Sequence, residues 1–265
     1  MNYSPPAATL LQSGRIAIDR FKTPDWPGMI AEASPLCPVA IHFNLHAGHA
    51  RPPSIDWDRL ERLMDATGTP YLNLHLDASL EEFPHLPVEV PDPVQFEAVV
   101  QSILADVRAA VARFGPQRVI VENIHYRAGL GKILRPSVEP AVIRRVIDET
   151  GCGLLLDISH ARIAAHYLGL DERAYIAALP LERLRELHFT GLHTLDDVLE
   201  DHLPILESDW PILDWALAHI RAGGWPRPWL LAFEYGGIGP AFAWRSDPQV
   251  IAEQVPRLYE LVHEI

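Results

Sequence analysis

The sequence has few of the features that mark secreted, disulfide-stabilised or membrane-spanning proteins. Its 265 residues include only two cysteines, Cys37 and Cys152, which form no CxxC motif. This count excludes a disulfide framework and a cysteine-rich zinc site, and we expect two reduced and mostly buried thiols. No apolar run reaches the roughly 18 residues of a transmembrane helix. Residues 1–14 lack a basic start followed by an apolar run, which predicts a cytoplasmic protein without a signal peptide.

Basic residues are also scarce. Lys and Arg number 22 against 35 Asp and Glu, which gives a formal net charge of −13 at pH 7. Because nucleic acids are bound mainly by clustered Lys and Arg, we expect no nucleic-acid partner. The sequence also lacks GxSxG, HExxH and P-loop motifs and the glycine fingerprint of dinucleotide-binding sheets. These absences exclude several common hydrolase and nucleotide-binding signatures.

Short apolar runs alternate with amphipathic patterns along the chain. The runs predict strands at 39–41, 71–74, 118–121, 154–156, 186–189 and 229–233, with two further candidates at 7–11 and 15–18. Helical spacing predicts helices between them, such as the one from Phe96 to Val111 that ends at Gly115. This alternation favours a closed α/β barrel, a TIM (β/α)8 barrel forming one domain over residues 1–265. The two earliest candidates leave almost no room for a helix, so an outer helix near the N-terminus is expected to be missing or replaced. A doubly wound sheet is the alternative fold.

Six of these predicted strands deliver a histidine or a carboxylate at or near their C-terminal ends. In chain order these residues are His42, His75, Glu122, Asp157, His188 and Glu234. In a parallel barrel the C-terminal ends of the strands meet at one mouth, so we expect the side chains to converge. Carboxylates gathered there repel one another unless cations neutralise them, and three imidazoles complete a mixed ligand set. The set predicts bound metal ions, with zinc, iron or manganese favoured over calcium or magnesium.

Two local spacings extend this set. Asp157 and His160 form a DxxH motif leaving a strand, which can turn both side chains towards one point. The polar segment 200–202 (EDH) follows the next strand and supplies either Glu200 with His202 or Asp201 with His202. The predicted metal ligands are therefore His42, His75, Glu122, Asp157, His160, His188, Glu200, His202 and Glu234, and the candidate catalytic groups are Glu122, Asp157 and Glu234. Two further histidines after His42, at positions 46 and 49, are interpreted as supporting or substrate-contacting residues.

Several of these motifs occur together in a recognisable order. They are Glu122-Asn123, residues 154–160 (LLLDISH), residues 171–180 (DERAYIAALP) and residues 186–193 (ELHFTGLH). Together they resemble the multinuclear non-haem iron-dependent oxidative enzymes, a group that includes the methanobactin-biosynthesis oxidase and lies within the xylose isomerase-like TIM-barrel superfamily. The resemblance is strongest over residues 118–193 and extends more loosely to His42, His75 and Glu234. One departure is Gly236, which stands where the family has an acid.

The resemblance implies a specific activity. A cluster of two or three iron ions would use O₂ to oxidise a peptide, usually at a Cys, Asp or Asn side chain of a ribosomally made precursor. A partner protein often presents that precursor, and a small-molecule substrate is the other option.

The residues alone leave three alternatives open. The first is a metal-dependent sugar or sugar-phosphate isomerase or epimerase, in which Glu122 and Glu234 move a proton. The second is an endonuclease IV-like phosphodiesterase, against which the acidic net charge counts. The third is a non-enzymatic metal-binding or precursor-docking module, although a mouth so rich in ligands is typical of an enzyme.

Overall fold

The structure, a computed structural model, describes residues 1–49, 54–240 and 242–264. Its strands are β1 Phe21–Pro24, β2 Val39–His42, β3 His46–Ala47, β4 Leu72–Leu76, β5 Val119–Glu122, β6 Gly153–Asp157, β7 Leu184–Phe189, β8 Gly191–Leu195, β9 Val198–Leu203 and β10 Leu230–Phe233. The six main predicted strands correspond to β2, β4, β5, β6, β7 and β10. Among the described residues the strands pair in parallel, except for the antiparallel hairpin of β8 and β9.

The strands close into a (β/α)8 barrel. One parallel sheet has the order β10-β7-β6-β5-β4-β3, and β1 pairs with β2. The N-terminal segment joins these two sheets, because the Asn2 N–H donates to the Phe233 carbonyl and Asn2 forms a parallel bridge with Lys22. Between β2 and β4, the side-chain oxygens of Thr69 and Asn73 accept hydrogen bonds from backbone N–H groups of β2 and the residue after it. Side chains therefore join the two edges where a backbone ladder is missing.

Helices surround the strands. They are α1 Pro5–Gln12, α2 Pro27–Ala33, α3 Trp57–Thr67, α4 Pro93–Phe114, α5 Pro140–Thr150, α6 Ile158–Leu168, α7 Glu172–Ala178, α8 Trp210–Arg221 and α9 Pro248–His263. The helix predicted between Phe96 and Val111 lies within α4, and Gly115 ends it as expected. None of the helices in the described part of the chain combines the length and hydropathy that crossing a bilayer requires.

The strands predicted at 7–11 and 15–18 are wrong. The first of these segments lies largely within α1, and the second lies outside any helix or strand. Pro5 occupies the first turn of α1, and the Ser4 hydroxyl accepts a hydrogen bond from the Ala7 N–H. These helix-start signals outweigh a short apolar run. The short helices α1 and α2 therefore stand where a missing outer helix was expected.

Aspartates start several of the helices. Asp92 and Asp247 accept hydrogen bonds from backbone N–H groups in the first turns of α4 and α9. Asp157 does the same for α6, where its Oδ1 lies 2.8 Å from the backbone nitrogen of His160. This cap fixes the first turn of α6 against the end of β6. The DxxH motif therefore places His160 beside Asp157 through ordinary helix capping.

The barrel interior is apolar along most of its length and polar at one end. The central residues of β4, β5 and β6 are buried, as the near-continuous apolar runs of parallel strands require. At the C-terminal ends of β5 and β6, however, Glu122 and Asp157 are each only 1% exposed. Burying an uncompensated carboxylate costs several kcal/mol. The polar end of the barrel therefore requires internal partners or cations.

Candidate metal centre

Eight of the nine predicted ligands meet at this polar end. His42, Glu122 and Asp157 finish β2, β5 and β6, while Glu234 directly follows β10. The others lie in β4, the first turn of α6, β7 and β9, and the eight residues together are His42, His75, Glu122, Asp157, His160, His188, His202 and Glu234. Close contacts link them in overlapping groups. The convergence expected from the strand ends is therefore present in the fold.

The first group contains two imidazoles and one carboxylate. His42 Nε2 lies 3.1 Å from His75 Nε2, and Glu122 Oε2 lies 3.6 Å and 3.3 Å from these two nitrogens. Ligand atoms around a tetrahedral ion with bonds of roughly 2.0–2.1 Å are separated by about 3.4 Å. Among the described residues, Glu122 Oε2 is buried without a hydrogen-bond partner. The spacing and the unsatisfied oxygen both fit a shared cation.

The second group joins Asp157, His188 and Glu234. Their ligand atoms lie within 4.8 Å of one another. His188 Nδ1 is 2.9 Å from Glu234 Oε1 and 4.0 Å from Asp157 Oδ2. The first group lies directly beside it, because the rings of His42 and His188 have centroids 5.3 Å apart. Three candidate ligand atoms for a second ion therefore lie beside the first group, and the Lys22 ammonium contacts two of them, His188 Nδ1 and Glu234 Oε1.

The third group is centred on His160. Its Nε2 lies 3.1 Å from Asp201 Oδ2, and its Nδ1 lies 3.4 Å from Glu122 Oε1. His202 Nε2 approaches the same Asp201 oxygen at 3.8 Å. Glu200 lies apart from this group, because its carboxylate pairs with Arg127 at 3.2 Å. Of the two alternatives left open in segment 200–202, the geometry brings Asp201 with His202 to the site.

Four of the imidazoles are oriented by a partner on the side away from their ligand nitrogen. The Nδ1–H groups of His75, His160 and His202 donate to backbone carbonyls at 3.0, 3.1 and 2.8 Å. His188 is held through Nε2 instead, 2.8 Å from Glu186 Oε1. Fixing one ring nitrogen in this way leaves the other free to bind a metal. The orientation of these rings is typical of metal ligands.

Three of the buried ligand groups are held in the protonation states that bind metals. Burial lowers the pKa of His42 and His188 well below the usual histidine value, and the nearby Lys22 ammonium lowers both further. Burial alone would raise the pKa of Glu122, but the surrounding imidazoles hold it well below its usual value. Neutral imidazoles and an ionised carboxylate are the forms that bind metals. Burial raises the pKa of Asp157, and a bound cation would oppose that effect.

Two residues of the site were not identified from the sequence. Lys22 in β1 forms an ion pair with Glu234 and lies 3.4 Å from His188 Nδ1. Glu186 in β7 orients His188, and burial raises the pKa of Glu186 to about 8. Glu186 had a readable signal, since it stands two residues before His188 and therefore on the same face of the strand. Lys22 gave no comparable signal, because β1 (FKTP) has no continuous apolar run from which a strand could be predicted.

A cleft opens above the site. Its volume is about 440 Å³, and it is lined by groups from all three ligand clusters, including His42, Glu122 and His202. Trp26 and Phe242 also line it, and their side chains are 54% and 38% exposed. Exposed aromatic side chains are frequent at binding surfaces for peptides and other organic ligands. The cleft therefore gives a substrate of moderate size direct access to the ligand cluster.

A family model described as "RiPP precursor modification enzyme MbnB/TglH/ChrH" matches residues 23–231. Similar curated proteins carry the name UPF0276. One from Acaryochloris marina is 28% identical over 185 residues, which are 68% of this chain and 65% of that protein. One from Pseudomonas aeruginosa is 34% identical over 120 residues, or 44% and 40%. The match to a Bordetella pertussis relative is 33% identical over 87 residues and spans only about 30% of that protein.

Solved structures of sugar epimerases share the fold. A D-allulose 3-epimerase from Methylomonas sp. superposes with a TM-score of 0.58 at 13% identity, covering 96% of this chain and 90% of the epimerase. The 3-keto-D-glucoside 4-epimerase YcjR from E. coli gives a TM-score of 0.53 at 14% identity, covering 99% and 96%. Identities this low show a common α/β barrel fold and no common reaction.

Proposed function

Because this chain belongs to the MbnB/TglH/ChrH family of RiPP precursor modification enzymes, we propose that it oxidatively modifies a peptide substrate with two or three iron ions and O₂. Three findings support the proposal: the family, the three overlapping ligand groups and the cleft above them. The observation that carries most weight is the orientation of four imidazoles, each fixed by a protein acceptor through one nitrogen. Such second contacts are the usual support of metal-binding histidines.

The proposed ligands divide by position. His42, His75 and Glu122 hold one ion, and Asp157, His188 and Glu234 hold another. A third position would use His160, Asp201 and His202, with Asp201 in place of Glu200.

Each residue then has a defined role. Glu122 Oε2 faces His42 and His75, so it would bind the ion of the first group, while its Oε1 helps to hold the His160 ring through Nδ1. Asp157 Oδ2 lies 4.0 Å from His188 Nδ1, so it would bind the ion of the second group, and its Oδ1 caps the helix turn that carries His160. Glu234 would bind an ion beside Lys22, and both the Lys22 ammonium and the glycine at position 236, where the family has an acid, leave this position with less negative charge. When bound, iron in this mixed ligand set supplies electrons and open coordination positions for O₂ and substrate.

The cleft supports a peptide as substrate. The exposed rings of Trp26 and Phe242 can contact a flexible chain, while one side chain reaches the ligand cluster. We propose a Cys, Asp or Asn side chain of a ribosomally made precursor as the target. We further propose that a partner protein presents the precursor and that the chain acts in the cytoplasm. A small-molecule substrate is the alternative to the peptide.

A second candidate is a sugar epimerase that uses one manganese or zinc ion. It is favoured by the shared barrel and by Glu122 and Glu234, which both line the cleft and could move a proton. Four oriented imidazoles, spread over three ligand groups, favour the multinuclear oxidative enzyme, because an epimerase with a single ion would not need so many ligands. Ion pairing of Glu234 with Lys22 also reduces its value as a general base.

The experiment that tests the proposal uses synthetic peptides that match any short open reading frames flanking the gene for this chain. Protein loaded with iron under anaerobic conditions is mixed with each peptide and then exposed to O₂, and the product is analysed by mass spectrometry. We expect a mass change that requires both iron and O₂ and is lost in His188→Ala protein. An unchanged peptide, together with epimerisation of a ketohexose by manganese-loaded protein, would instead establish the second candidate.

A further inference from the structure

A second cluster of ligand-type side chains lies beside the candidate metal centre. It contains His46 of β3, His49 and Asp77, whose ligand atoms lie within 4.8 Å of one another. His46 Nδ1 is 2.6 Å from Asp77 Oδ2, and His49 Nε2 is 4.0 Å from Asp77 Oδ1. Within the described residues, Asp77 Oδ1 is buried and has no hydrogen-bond partner. We propose that these three residues form a separate site for one divalent transition-metal ion such as Zn²⁺.

The backbone holds His46 and Asp77 side by side. His46 pairs in register with His75 in the β3–β4 ladder, and the Asp77 N–H donates to the Ala47 carbonyl at 3.2 Å. Asp77, just after β4, is two residues beyond the register partner of His46, so the two side chains lie on the same face of neighbouring chain segments. Their separation is fixed by strand pairing, which is far more rigid than a surface loop.

The turn that carries His49 is fixed by two independent features. Gly48 has a φ of +108°, and a Cβ there would lie 2.5 Å from the Cβ of Ala78, so only glycine allows this close approach. The carboxylate of Asp106 accepts hydrogen bonds from the N–H groups of Gly48 and His49 at 2.8 and 2.9 Å. The turn therefore packs closely against Ala78, which follows β4, and is hydrogen-bonded to Asp106 of α4.

The His49 ring also has a partner on its far side. His49 Nδ1 lies 3.5 Å from Glu82 Oε1, while Glu82 Oε2 accepts hydrogen bonds from the N–H and hydroxyl of Ser79 at 3.2 and 2.7 Å. A carboxylate on one imidazole nitrogen leaves the other directed at the ligand position. Here that nitrogen is Nε2, which faces the unpartnered oxygen of Asp77.

The donor set indicates the kind of ion. Two imidazoles and one carboxylate suit Zn²⁺ and similar transition ions, whereas Ca²⁺ and Mg²⁺ prefer oxygen ligands alone. The side chains of His46 and His49 are 34% and 25% exposed, so an ion has access and water can complete its coordination. The ring of His46 stacks on that of His75 with centroids 5.6 Å apart. A bound ion would therefore also hold His75 in place.

The test is zinc binding by metal-free protein, measured by equilibrium dialysis and elemental analysis. We expect His46→Ala/His49→Ala protein to bind one Zn²⁺ fewer per chain than wild type. The matched control, His166→Ala/His263→Ala, removes two exposed histidines and should bind as many ions as wild type. Equal zinc content in the wild type and the His46→Ala/His49→Ala variant would overturn the proposal and leave only a His46–Asp77 ion pair.

A second variant protein distinguishes zinc binding at this site from zinc binding at the main centre. Glu122→Gln/Asp157→Asn protein loses two carboxylates of the proposed main centre, and we expect it to keep one Zn²⁺ that disappears when His49→Ala is added. A folded Glu122→Gln/Asp157→Asn protein that binds no zinc would contradict the proposal. If circular dichroism shows that this variant does not fold, the comparison of His46→Ala/His49→Ala with wild type decides alone. Neither outcome depends on the proposed oxidative activity.

Discussion

Replacing Glu186 with leucine tests whether an oriented imidazole controls metal binding. Glu186 Oε1 accepts from His188 Nε2 at 2.8 Å, and both residues are buried. Leucine removes this acceptor, so His188 can rotate and its Nε2–H is left unsatisfied. Loss of such a supporting contact weakens metal binding by about 10- to 100-fold, or about 1.4–2.7 kcal/mol. Glu186→Gln keeps an acceptor oxygen, and we expect it to retain most of the affinity.

The affinity is measured anaerobically by competition for Fe²⁺ with a chromophoric chelator. Glu182→Leu is the matched control, because Glu182 precedes β7, pairs with Arg144 and has a side chain that is 59% exposed. That control should bind iron like the wild type. If folded Glu186→Leu protein bound iron with unchanged affinity, the reasoning about His188 would be refuted.

Three further outcomes follow from the structure. Asp201→Asn should lower the iron content per chain whereas Glu200→Gln should not, and elemental analysis of the two proteins compares them directly; equal content would remove Asp201 from the proposed ligands. Burial lowers the pKa of His125 to about 3. Between pH 6.5 and 3, His125 therefore binds a proton in the unfolded chain and stays neutral in the folded chain. Metal-free wild type should therefore lose stability between pH 6.5 and 3 more steeply than His125→Phe protein in denaturant titrations, and parallel curves would contradict this. Gly191→Ala would place a Cβ 1.8 Å from the Pro204 carbonyl oxygen. We expect calorimetry to show that this substitution lowers the free energy of unfolding by at least about 3 kcal/mol, the upper end of typical overpacking costs.

The fold was predictable where hydrophobicity is continuous. The strands β5 and β6 have apolar, fully buried sequences, and their boundaries differ from the predicted ones by one residue at each end. The prediction failed at α1, because a run of five mostly apolar residues does not distinguish a strand from a helix. The hairpin of β8 and β9 was also missed, since its strands mix buried, half-buried and exposed residues and give no continuous buried face to recognise.

The site was predictable at strand ends and less so elsewhere. A residue that ends a parallel strand must lie at the barrel mouth, so Glu122 and Asp157 could be placed without coordinates. The choice between Glu200 and Asp201 depended on local backbone geometry instead. His202 has a φ of +57°, which interrupts the alternation of β9 and lets neighbouring side chains, Asp201 and His202, approach one cluster. No sequence pattern reports such a backbone angle for a non-glycine residue.

The central claim is that the gathered imidazoles and carboxylates hold at least two metal ions. Crystals of the iron-loaded protein, measured with X-rays on both sides of the iron absorption edge, locate iron atoms directly by their anomalous scattering. We expect one anomalous peak among His42, His75 and Glu122 and another among Asp157, His188 and Glu234. A well-phased map of iron-loaded protein with no anomalous peak in this mouth would contradict the account.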